Sequence, residues 1–132
     1  FADSVGKRPA ETLQRFVALL CQGDSQARTL TRTLLAQLRN DPLPALPALQ
    51  RGLEWLRDSD LRPLLPGIRC RSLLLHGDSD ALNPLAAAGW LARALPDSHL
   101  EVFPATGHAP FLADPARCSQ LLSQFCHATR AH

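Results

Sequence analysis

Residues 71–84 read RSLLLHGDSDALNP. Leu73, Leu74 and Leu75 make a short apolar run closed by Gly77. Such a run is too short for a helix and fits a strand buried in a parallel sheet. The Asp, Ser, Asn and Pro that follow it spell a turn. PLAAAGWLARALP then reads as a helix stopped at Pro96, HLEVF as a second short strand, and PATGHAP as a loop. Residues 115–128 complete the pattern as an amphipathic helix through Cys118, Leu121, Leu122 and Phe125. The order strand, helix, strand, helix predicts an α/β arrangement with parallel strands. Two strands are too few for such a sheet. SLLLH should be central, yet only one neighbour is on offer, so further strands are expected upstream. The absence of Met points the same way, toward part of something longer.

The preceding residues have a different character. FADSVGKR at 1–8 reads as a loose lead-in, and Pro9 suits a helix start. Leu13, Phe16, Val17, Leu20 and Cys21 recur at the spacing of one helical face. Gly23 ends that helix, and Asp24 or Ser25 can cap the next. There Leu30, Leu34 and Leu38 form the apolar stripe, with Arg28, Arg32 and Arg39 on the opposite side. DPLPALPA at 41–48 predicts a bent connection. Leu49, Leu53 and Trp55–Leu56 suggest a third helix, and DSDLRPLLPGI a Pro-punctuated turn region. Residues 9–60 therefore read as a helical unit without strand signals.

Composition narrows the function classes. The 132 residues are 45% hydrophobic and carry a formal net charge of +2. A general nucleic-acid binder would be clearly basic. No apolar run approaches the roughly 18 residues of a membrane span, and Phe1 does not begin a signal peptide. Cys21, Cys70, Cys118 and Cys126 form no C-x-x-C pair and have no histidine at metal-binding spacing, so no metal site is expected. Each lies in an apolar segment and is read as a buried or half-buried reduced thiol, which suits a cytoplasmic protein.

In open α/β sheets, chemistry collects at the carboxyl ends of the strands. Asp80 follows the first strand and His108 the second. A buried carboxylate bonded to one imidazole nitrogen fixes the tautomer and leaves the other nitrogen to act as a base. Each residue alone has a plainer explanation: Asp80 as a cap for the next helix, His108 as a loop histidine. Their order and spacing favour a functional pair. Ser79, in Gly77-Asp78-Ser79-Asp80-Ala81, comes nearest to a G-x-S-x-G nucleophile elbow. However, its last Gly is Ala, and its acidic neighbours oppose a serine alkoxide. Asp78 and Ser79 read better as turn residues whose side chains bond local backbone amides. His76, His99, His127 and His132 have no partner pattern and are expected to be structural or exposed.

The pattern Gly77-x-x-Asp80-x-x-x-Pro84 after one strand, with Gly107-His108-Ala109-Pro110-Phe111 after the next, resembles the C-terminal half of α/β-hydrolases. Their triad runs Ser, Asp, His along the chain. LQRFVALLCQG, the Arg28/Arg32 helix, GLEWL with DSDLRPLL, and GHAPFLADPARC are similar to the esterases that demethylate pimeloyl-[acyl-carrier protein] methyl ester in biotin synthesis. The resemblance implies a helical cap over 1–62 and the C-terminal βαβα part of the hydrolase sheet over 63–132, a fragment of a larger fold. It implies Asp80 and His108 as catalytic residues, Phe16 and Leu82 as substrate-binding, and Arg15, Arg28 and Arg32 as contacts to the acidic carrier protein. The serine would come from a missing N-terminal half, and no metal or organic cofactor is implied. Other capped hydrolases, such as a short-chain carboxylesterase or an enol-lactonase, share the Asp–His pattern, because specificity lives in the cap and pocket. A non-catalytic interaction module is a further alternative. A chain standing alone would leave the strand at 72–76 with an unpaired edge.

Overall fold

A computed structural model describes residues 6–40 and 46–128. Where they fall on described residues, two expectations are corrected. Gly6 and Lys7 are helical rather than part of a loose lead-in over 1–8. Residues 46–48 of the expected bent connection over 41–48 already belong to a helix, because Pro47 sits in its first turn, where its missing amide hydrogen costs nothing. The rest of both stretches, and His132, lie outside the described residues.

From Pro9 on, the described residues begin with helices. Helix α1 spans Pro9–Cys21, with Pro9 in its first turn and Thr12 Oγ1 donating to the Arg8 carbonyl at 2.8 Å. It buries Thr12, Val17 and Cys21. Gly23, at φ +84°, then turns the chain. Helix α2 spans Ala27–Asn40 and packs on α1. Leu30, Leu34 and Leu38 are half-buried, whereas Arg28, Arg32 and Arg39 are exposed, as the helical period requires. Helix α3, Leu46–Asp58, buries none of its residues, and its Trp55 and Leu56 are 68% and 83% exposed. A 3₁₀ turn over Arg62–Gly67 follows.

The chain then becomes α/β. Strand β1, Ser72–Gly77, and strand β2, Ser98–Phe103, pair in parallel from Ser72 opposite Ser98 to Gly77 opposite Phe103. Helix α4, Leu85–Ala94, connects them and packs on both. A short helix α5, Pro110–Ala113, which the sequence reading did not anticipate, precedes helix α6, Pro115–Ala128. Phe103, only 1% exposed, lies under the Arg117 guanidinium, 4.3 Å from its ring centre. Arg117 also reaches Glu101 at 3.2 Å, which ties α6 to β2. Among the described residues β1 has β2 as its one sheet neighbour, so its other edge is unpaired.

The cysteines correct the sequence reading in part. Cys21 and Cys118 are buried, but Cys70 and Cys126 are exposed, and none is bonded to another. Cys70 precedes β1 and so escapes the sheet's cover. Cys126 lies one residue past half-buried Phe125, about 100° around the helix toward solvent.

Candidate active site

The carboxyl ends of β1 and β2 continue as one interlocked pair of loops. The Asp78 amide donates to the Phe103 carbonyl at 3.0 Å, and the Ser79 amide to the Thr106 carbonyl at 3.0 Å. The loops approach so closely that a Cβ on Gly77 would sit 2.1 Å from the Gly107 carbonyl oxygen and 2.2 Å from that of Thr106. No side chain fits there.

This zipper brings Asp80 and His108 together. The His108 Nδ1 to Asp80 Oδ2 distance is 2.8 Å. The other carboxylate oxygen accepts the amides of Leu82 at 2.8 Å and Asn83 at 3.0 Å. These bonds form an Asp turn ahead of α4, which itself starts only at Leu85. Asp80 therefore serves the histidine and its own loop rather than the helix. Its side chain is 2% exposed, against 33% for that of His108. Burial pushes the Asp80 carboxyl up, but the Asn83 amide, His108 and the Leu82 amide outweigh it and hold the group below the ordinary aspartate value. With Nδ1 turned to the carboxylate, Nε2 makes no hydrogen bond to the described residues and faces partly into solvent. This is the orientation of a general base.

The remaining candidates sort clearly. The Ser79 hydroxyl donates to Asp78 Oδ1 at 2.8 Å, and that same oxygen receives the Thr106 amide at 3.4 Å. Asp78 thus does bond a backbone amide, but Ser79 bonds a carboxylate instead. His76 lies at the sheet top near the site. Its Nε2 lies 3.0 Å from the Asn83 carbonyl and 3.7 Å from Asp80 Oδ2, on the inner side of the loop that holds the acid. His99 pairs with Glu101 at 2.8 Å and His127 with the Ser123 carbonyl at 2.7 Å, both exposed. Phe16 on α1 and Leu82 beside Asp80 are half-buried. Burial and nearby Asp114 push the Cys118 thiol up, which leaves it a small hydrophobe rather than a nucleophile. No cluster of three metal-ligating side chains occurs among the described residues.

The arginines share one face. Arg28, Arg32 and Arg39 line an open groove with Thr31, Leu35 and Ala36. Arg15 lines a neighbouring hollow with Leu19 and Gln22, and Ala27 borders both.

The sequence offers Asp24, or Ser25, as a helix cap. Asp24 Oδ1 accepts the Gln26 amide at 2.7 Å. Its Oδ2, however, reaches across the sequence to the Gly107 amide at 3.2 Å, and the residue is 8% exposed. The signal for this was faint: an acid after Gly23 at a helix end, with nothing to indicate its distant partner.

Residues 3–121 match the alpha/beta hydrolase family. A pimeloyl-[acyl-carrier protein] methyl ester esterase from Aromatoleum aromaticum is 48% identical over 122 residues, which cover 92% of this chain and 49% of that protein. The protein of the same name from Nitrosomonas europaea is 40% identical, over 87% of this chain and 46% of its own length. Among solved structures, an esterase from Exiguobacterium antarcticum superposes with a TM-score of 0.80 at 24% identity, covering 94% of this chain and 45% of that one. An esterase from Thermogutta terrifontis does so at 0.76 and 25% identity. The chain spans about half the length of the relatives it matches.

Proposed function

The chain belongs to the alpha/beta hydrolase family, and from that premise we propose that it is the cap and C-terminal core of a serine carboxylesterase. The cap would occupy 1–62 and the core 63–132. In the proposed reaction, a carrier-protein-bound pimeloyl methyl ester is hydrolysed to the free acid and methanol. The observation that carries the reading is the 2.8 Å bond between His108 Nδ1 and buried Asp80, at the ends of two adjacent parallel strands.

The mechanism follows from that geometry. A serine from an upstream half attacks the ester carbonyl while His108 Nε2 takes its proton. Asp80, held ionised, fixes the ring and stabilises the imidazolium that forms. His108 then protonates the departing methoxide. A water, activated by the same nitrogen, releases the acid from the acyl-serine. Oxyanion donors would come from the amide after the serine and from an early loop, both upstream. Acyl transfer of this kind needs neither metal nor organic cofactor.

Phe16 and Leu82 would line the acyl slot, which their half-burial on the cap and beside Asp80 suits. Arg15, Arg28 and Arg32 would meet the carrier protein. The face that Arg28 and Arg32 share on α2, and the neighbouring hollow lined by Arg15, support this, because exposed guanidinium groups steer and orient an acidic, phosphate-bearing partner. No described helix is long and apolar enough to cross a membrane, and two of four free thiols are exposed. Both fit a cytoplasmic enzyme.

The test compares a carrier-bound pimeloyl methyl ester with free short-chain methyl esters, using the full-length enzyme. A clear kcat/KM preference for the carrier-bound ester is expected. Equal rates on both would remove the carrier-protein assignment, and no hydrolysis of either would remove the esterase.

A further inference from the structure

The first helix ends beside the loop that carries His108, and the two are bonded at three successive points. The Leu20 carbonyl accepts the His108 amide at 3.1 Å, Asp24 Oδ2 accepts the Gly107 amide at 3.2 Å, and the Ser25 amide donates to the Ala105 carbonyl at 2.9 Å. The approach leaves no slack. A Cβ on Gly107 would lie 2.9 Å from the Leu20 carbonyl oxygen, and one on Gly23 would lie 2.2 Å from that of Ser79. Residues 20–25 therefore grip both loops that carry the Asp–His pair.

Asp24 is the only side chain in this grip. It is buried, and it has no ion pair among the described residues. A buried carboxylate without a countercharge is costly unless its oxygens accept good donors. Here each oxygen takes one backbone amide, from opposite directions. Oδ1 accepts the Gln26 amide in a tight turn that leads into α2, and Oδ2 holds the residue before His108. Closing that turn alone would need a single oxygen, which a surface serine could supply. The second bond explains why an acid is buried at this position.

We propose that Asp24 is a positioning residue for His108. It fixes the backbone of the histidine from the cap side while Asp80 fixes the ring from the sheet side. The proposal rests on the esterase reading above for its kinetic consequence but not for its geometry. Removing the Gly107 bond frees the peptide that carries His108, and misplacing a catalytic group by even a fraction of an ångström slows the chemical step more than it weakens binding.

Asp24→Ser in the full-length enzyme separates the two bonds, since a serine hydroxyl can close the turn into α2 but is too short to reach Gly107. The expected result is a melting temperature below that of the wild type but above that of Asp24→Ala, a kcat lower by about tenfold, an unchanged KM for a small free ester, and faster hydrogen exchange at the Gly107 and His108 amides. Asp24→Ala should show the same kinetic loss together with a lower melting temperature. Wild-type kcat and wild-type amide protection in Asp24→Ser would overturn the proposal and leave Asp24 as a turn residue. If the wild-type enzyme hydrolyses no ester, the functional reading fails instead. The amide exchange then decides on its own whether Asp24 holds the histidine loop.

Discussion

The loops at the strand ends and the outer face of α2 both carry residues with a proposed role, but they are built in opposite ways. Around Asp80 and His108, both carboxylate oxygens have donors, and glycines stand where no Cβ fits. On α2, Arg28, Arg32 and Arg39 stand in solvent without hydrogen bonds to the described residues. The first region holds its side chains by several short bonds at once. The second offers a field and a set of forks. Chemistry needs the former, and recognition of a diffusing acidic partner needs only the latter.

The difference predicts unequal losses. His108→Ala should lower kcat of the full-length protein on an ester by roughly 10⁴- to 10⁶-fold, because losing one member of a triad disables the unit. Steady-state kinetics with a free ester suffices, and a loss below tenfold would break the comparison at its stronger side. Arg28→Glu with Arg32→Glu should cost about tenfold in kcat/KM on a carrier-bound ester, mostly at low salt, and nothing on a free ester. A loss independent of ionic strength, or equal on both esters, would mean that the arginines act on the fold rather than on a partner.

The smallest effect concerns stability. The folded-state value of Asp80 lies below its ordinary value of 3.8. Its contribution is therefore fully present above that value and disappears as pH falls through the lower folded value. Asp80→Asn should remove part of the acid dependence of the melting temperature below about pH 4 and leave the Arg28/Arg32 variant's profile unaffected. An unchanged acid limb in Asp80→Asn would mean that the bonds to Leu82, Asn83 and His108 do not favour the ionised form.

The two regions also differ in how far the sequence discloses them. The Leu run ending at Gly77, the two short strands and the Asp–His order are local patterns, and local patterns carry both the parallel pairing and the pair itself. The arginine face follows from helical period alone. Asp24 was invisible as a partner of Gly107, because a contact across that much chain depends on how α1 docks on the histidine loop, and no short pattern encodes docking. Cys70 and Cys126 were misplaced because an apolar neighbourhood in sequence does not determine which side of an element meets solvent.

The central claim is that Asp80 and His108 are two members of a triad whose nucleophile lies upstream. It is tested most directly by treating the full-length protein with a fluorophosphonate probe and mapping the labelled peptide. One labelled serine upstream of residue 1 is expected, with labelling lost in His108→Ala and retained in Ser79→Ala. Label on Ser79, or labelling undiminished in His108→Ala, would contradict it.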